Sequence, residues 1–216
     1  MKIINEKYEI LEDIYFFNKG SFHIVYDHKE NKRYLSLILN DISKEFFSEI
    51  FELYLKNKFI SHPVIFNPIN LEKIYFFDEY YININSIIIN FNYLNLLPLP
   101  KFEFNNINTK INFFKTLNII TKWLNNNGYS IGNISHEFIL VDNFGFPYFI
   151  LIKNNSNYEK DIYFLSILAK DFLNIPNYEN ILKENTTNNE EFFNILSHYL
   201  NLNFNISFDF YEEIKE

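Results

Sequence analysis

The sequence predicts an α+β fold of two lobes: a small five-stranded antiparallel sheet with one helix, then a mainly helical lobe. Three observations predict it. Apolar runs of strand length, rich in Ile, Tyr, Phe, Leu and Val, crowd the first 80 residues. Helical periodicity dominates from residue 107 onward. No internal repeat relates the two parts. The expected division is 1–80 for the sheet lobe and 81–216 for the helical lobe, together one domain. At 216 residues the chain can build one sizeable core, or two small lobes sharing a cleft.

Residues 8–17, 22–28 and 33–40 read as strands, separated by "NKGS" and by the turn "HKENK". Residues 41–57 read as a helix: Asp41 or Ser43 can cap it, and Phe46, Phe47, Ile50, Leu53 and Tyr54 share one face. The prolines of "SHPVIFNP" end it. Two more strands are expected near 64–70 and 73–79. Residues 80–105 alternate at first, then meet Pro98 and Pro100, and read as a connector with partial structure. Residues 107–127 form the clearest helix, with Ile111, Phe114, Leu117, Ile120, Thr121 and Leu124 on one face and Gly128 at its C-terminal cap. Residues 130–152, "SIGNISHEFILVDNFGFPYFILI", hold a turn, a short apolar strand, a tight reversal at "NFG" and a second apolar strand; Asp142 reads as a turn residue. Helices are expected over 158–173, near 189–201 and near 207–214.

Composition excludes several function classes. With 48% hydrophobic residues the chain is globular. It has no cysteine, so disulfides, thiol nucleophiles and cysteine zinc sites are ruled out. Acidic residues interrupt the apolar N-terminus, which is therefore no signal peptide, and no stretch of about 18 apolar residues exists to span a membrane. A cytoplasmic protein with no membrane partner is expected. The net charge is −8 and Arg33 is the single arginine, so the basic stripe that nucleic acid requires is missing. The five histidines show no metal-binding spacing, and no metal is expected. Asn, Ile, Lys, Phe and Tyr are abundant together, as an AT-rich genome dictates, so Asn runs are read as polar loops. The 26 Phe and 16 Tyr admit two readings, a Phe-rich core or an exposed aromatic patch for a protein partner.

This order of elements, with its motifs, resembles a protein kinase catalytic domain over nearly the whole chain, with a truncated second lobe and activation segment. "NEKYEILEDI" resembles the family's first strand, and "NKGSFHIV" its glycine loop: Gly20, Phe22 and Val25 match, while Asn18 and His23 stand where the outer glycines belong. "NKRYLSLILN" resembles the third strand, "SHPVI" and "IYFFDEY" the helix-to-strand turn and hinge, and "DIYFLSIL" the long central helix. The resemblance implies which positions carry chemistry, and the departures fall on those positions. The phosphate-gripping lysine is Leu37, and its helix partner would be Glu49 or Glu52. The catalytic-loop aspartate is Asn133, beside Ser135, and an amide is no base at neutral pH. The two magnesium ligands fall on Phe138 and Leu151, which offer no oxygen. Seven residues between Lys153 and Asp161 leave no room for an activation loop. Gly132, Asn133 and Asp161 are implied as structural anchors of the loop. Should a nucleotide bind, Lys19, Gly20 and Lys153 are the candidates to hold it. The expected function is thus a catalytically inactive kinase-like domain, a pseudokinase, that binds a protein partner without a cofactor. Two alternatives stand beside it: a nucleotide-binding phosphotransferase with relocated residues, and an unrelated α+β binding domain.

Overall fold

The structure is a computed structural model, and it describes residues 2–60, 62, 65–77, 80–131, 136–150, 153–154, 161, 164–165 and 168. The chain divides into two compact units, each of two segments: Met1–Glu103 with Ser135–Leu151, and Phe104–Ile134 with Ile152–Glu216.

The first unit is built on a closed antiparallel barrel. Its strands are β1 (Lys2–Ile4), β2 (Tyr8–Phe17), β3 (Gly20–Asp27), β4 (Lys32–Leu39), β5 (Pro68–Phe77) and β6 (Tyr80–Asn92), in the order β1-β2-β3-β4-β6-β5. Local chemistry explains the reversals. Asn5 and Glu6 have φ of 52° and 54°, and Lys7 N donates to Ile4 O at 3.0 Å, the left-handed two-residue turn whose twist suits a hairpin. Phe17 stands opposite Gly20, so β2 and β3 are joined by Asn18 and Lys19 alone. Asp27 Oδ1 accepts from Lys29 N and Glu30 N at 2.8 and 3.0 Å and starts the turn into β4.

Strand alternation sorts the side chains onto two faces. Phe22, Leu35, Leu37, Leu39, Ile87, Ile89 and Phe91 point outward and pack with Ile50 and Leu53 of helix α1 (Lys44–Asn57). Ser43 caps that helix by accepting from Phe46 N at 3.1 Å. Ile4, Tyr8, Val25, Tyr34, Ile38, Ile74 and Ile88 fill the barrel interior. The interior face also carries Ser21, His23, Asp27, Ser36 and Asn90, all buried. Burying polar groups is tolerable only where they are bonded; Ser36 Oγ donates to Asn90 Oδ1 at 2.5 Å.

Five short strands follow: β7 (Leu97–Pro98), β8 (Tyr129–Ser130), β9 (Ile139–Val141), β10 (Pro147–Phe149) and β11 (Lys153–Asn154). In the first unit β9 pairs with both β7 and β10, and Phe66 N donates to Phe149 O at 2.8 Å. The second unit centres on α2 (Ile107–Asn126), which opens with a capping box between Asn106 and Thr109. Its closing turn is capped by Asn127 and followed by Gly128 at φ +78°. Ile111, Phe114, Leu117, Ile120, Thr121 and Leu124 are all buried, the face the periodicity predicts. β8 and β11 pair, and Asp161, Phe164, Leu165 and Leu168 are helical.

Three expectations need correction. The sheet has six strands where five are expected: β1 is too short to show a period, and the asparagines of β6 give that strand the look of a connector. The strands expected at 64–70 and 73–79 are one strand, β5. Glu72 looks like a break but stays in the ladder, since Lys7 Nζ and Tyr8 OH donate to its Oε1 at 2.7 and 2.5 Å. The boundary drawn at residue 80 falls on the first residue of β6, and the first unit runs on to Glu103. The remainder of the helix expected over 158–173, and those near 189–201 and 207–214, lie outside the described residues.

Candidate functional site

The segment resembling a phosphate-cradling loop is a tight reversal. Lys19 is exposed, its carbonyl accepts from Asn40 N at 2.9 Å, and its Nζ lies 5.9 Å from the centre of the Phe46 ring. Gly20 has a packing reason to be glycine: a Cβ there would sit 2.3 Å from Ile38 O on the neighbouring strand. Beneath this turn Phe17 meets Phe138 edge-on at 6.0 Å and Phe22 at 6.1 Å.

Leu37 is fully buried, between Phe22 on β3 and Ile89 on β6. Phe138 ends the 3-10 turn His136–Phe138 and packs against the cluster that holds Leu37, Leu140 and Ile150. The positions matching the family's lysine and one of its magnesium ligands therefore share one apolar cluster with Phe17. Glu49 and Glu52 both lie on the exposed side of α1, Glu52 at 3.8 Å from Lys56.

Asp142 organises the β9–β10 hairpin. Its Oδ1 accepts from Phe144 N and Phe146 N, each at 2.9 Å, and Gly145 N donates to its carbonyl at 3.0 Å. Gly145 completes the reversal at φ +85°. Burial pushes the Tyr148 phenol up, and the nearby Asp142 carboxylate adds to the shift. Phe144 at the hairpin tip is 92% exposed. Phe22, Phe66, Phe91, Phe113, Phe114 and Phe149 are core, while Phe16, Phe59 and Phe144 face solvent.

In the second unit Asp161 is fully buried and its Oδ1 accepts from Ser130 Oγ at 2.6 Å. Lys153 stands opposite Ser130 in the β8–β11 ladder. Gly132, Asn133, Ser135 and Leu151 lie outside the described residues.

The sequence reading treats His23 as a lost glycine, and the structure gives it different company. Asp13 and Ser21 flank its two ring nitrogens, at 2.8 Å from Nδ1 and 2.6 Å from Nε2. Burial lowers the His23 pKa from its ordinary 6.5, against the hydrogen bond and charge of Asp13. At the barrel's other side Lys7 lies 3.4 Å from the buried Asp27 carboxylate. Desolvation pulls the Lys7 pKa down, but hydrogen bonds to Glu72 and Tyr8 outweigh it and the net shift is upward. Among the described residues no three His, Asp or Glu side chains converge as a metal-binding group, and no helix is long and apolar enough to cross a membrane.

No protein-family model matches the chain, and no curated protein matches it. Its fold is similar to that of the autoinhibited serine kinase domain of the giant muscle protein titin, with a TM-score of 0.56 and 14% identity, over 89% of this chain and 71% of that one. At that identity the likeness is one of fold alone.

Proposed function

We propose that this chain is a kinase-like domain without phosphotransfer activity, which works by binding another protein. One observation carries the reading: Leu37 and Phe138, matching positions that would grip phosphate and magnesium, are packed into one apolar cluster with Phe17. Phosphoryl transfer depends almost entirely on positioning and charge stabilisation, and hydrocarbon supplies neither. A magnesium ion needs oxygen ligands close to octahedral geometry. Asn133 in place of the base removes a further contribution of about 10²–10⁴ in rate. The binding role is supported by aromatic side chains at the surface, Phe144 foremost.

Thermal shift with millimolar ATP, with and without magnesium, tests the first half. A ligand at 100 times its Kd stabilises by about 2.7 kcal/mol, so the expected result is an unmoved transition. A saturable, magnesium-dependent rise overturns the reading. Loss of that rise in Lys19→Ala or Lys153→Ala would favour a phosphotransferase with relocated residues.

A further inference from the structure

We infer that Ser21, His23 and Asp13 form a nucleophilic serine site at one end of the barrel, able to take a short acyl group from an ester. The site takes Ser21 and His23 from the glycine-loop-like segment but none of the positions matching the lysine, the base or the magnesium ligands, and it stands independently of the function proposed above.

Geometry assigns the protons. An ionised carboxylate only accepts, so the Asp13 Oδ1 at 2.8 Å requires a proton on His23 Nδ1. Nε2 is then the lone-pair nitrogen, and Ser21 Oγ–H donates to it at 2.6 Å. A serine bonded to a base that is oriented by a third group is the arrangement that activates a hydroxyl nucleophile. Two irregularities of β2 create it. The register slips between Ile10 and Glu12 and again between Asp13 and Tyr15, which sets Asp13 directly opposite His23 and Phe16 opposite Ser21. Such bulges re-aim side chains, often beside active sites.

Ser21 and His23 also line a cavity of about 220 Å³, with Ile10, Phe16, Ile38 and Phe77 among its apolar walls. That volume suits a short acyl chain, since drug-sized ligands occupy pockets from about 300 Å³ upward. Phe16, Lys2 and Asn40 at its edge are exposed, which gives a path from solvent. Ser86 Oγ donates to Asn40 Oδ1 at 3.3 Å, so Asn40 Nδ2 is the amide donor left to meet a developing oxyanion.

The reaction balances without a further reagent. Ser21 Oγ attacks the ester carbonyl carbon as its proton passes to His23 Nε2. The Oγ–C bond forms, the C–O bond to the alcohol breaks, and the alcohol leaves with the proton from Nε2. Water then attacks the acyl-serine with His23 again as base, which releases the carboxylic acid and restores Ser21. Ser21 and His23 are the catalytic residues; Asp13 is a positioning residue. The charged groups near His23 are Asp13 on β2 and Lys2 on β1, at 3.7 Å from Asp13 Oδ2; β4, β5 and β6 present Ser36, Ile74 and Ser86.

The test treats the 216-residue chain at pH 8 with an alkyl fluorophosphonate and, separately, with p-nitrophenyl butyrate. With the first, Oγ displaces fluoride and leaves a phosphonyl-serine. Peptide mass spectrometry is expected to place a single adduct on Ser21. His23→Gln should slow labelling by about 10²–10⁴, and Asp13→Asn should move the pH midpoint of labelling downward, because the carboxylate holds the imidazole pKa up. The wild-type adduct is the primary readout, so the outcome does not depend on a variant folding. No adduct on Ser21 in protein with a cooperative melt, or labelling at another residue alone, overturns the proposal.

Discussion

His23 shows how one side chain ties stability to solution conditions. Its pKa lies below the ordinary 6.5, chiefly because it is buried. Between that lowered value and 6.5 the unfolded chain binds a proton that the fold does not. The resulting stability is whole above about pH 6.5 and is lost as pH falls through the folded value. The melting temperature should therefore drop below pH 6.5, and less steeply in His23→Gln; equal slopes in scanning calorimetry would refute the linkage. His62, also lowered by burial, keeps a slope in both. Gly20 makes a second residue-scale case. A methyl group 2.3 Å from Ile38 O must push backbone aside, so Gly20→Ala should cost about 1–3 kcal/mol in urea unfolding, the range for overpacking. A neutral result would mean that the β3–β4 approach is looser than its ladder.

At the scale of elements, helix ends carry separable energies. Ser43→Ala removes the acceptor for Phe46 N and should lower stability by about 1 kcal/mol. Ser43→Asp should retain most of it, and equal midpoints for Ala and wild type in denaturant would show the cap to be idle. Both long helices are legible because each buries one face and exposes the other, so period and burial agree. Strands β3 and β4 are buried on both faces, and they are legible instead as apolar runs of strand length bounded by turn residues. The strand from Tyr80 to Asn92 lacks such clean bounds. Ser86, Ile87, Ile88, Ile89, Asn90 and Phe91 are all buried, so neither face shows as polar, and Asn90 reads as loop until Ser36 is seen to bond it. The Asp142 turn was readable from its immediate neighbours. The grouping of Asp13, Ser21 and His23 was not, because two bulges create it and a bulge leaves no period to count. Leu37 and Phe138 draw notice in the sequence only through the resemblance, and their packing with Phe17 emerges only when the hairpin is placed.

For the whole molecule, chain order and compactness disagree. The first unit closes with residues 135–151, after the chain has left it at Glu103. A fragment ending at residue 80 lacks β6, the hydrogen-bonded neighbour of both β4 and β5. That fragment should show no cooperative melt and little ordered ellipticity by circular dichroism; a sharp transition would contradict the barrel. The short first strand has an outsized consequence. Lys2–Ile4 pairs with β2 on one side and, through Ile4 and Phe77, with β5 on the other, and so seals the ring. Where Lys2–Ile4 lies against Tyr8–Ile10, the edge of β2 has no vacant amides to offer an incoming segment. Whatever docks at that stretch of the barrel reads side chains instead of main chain.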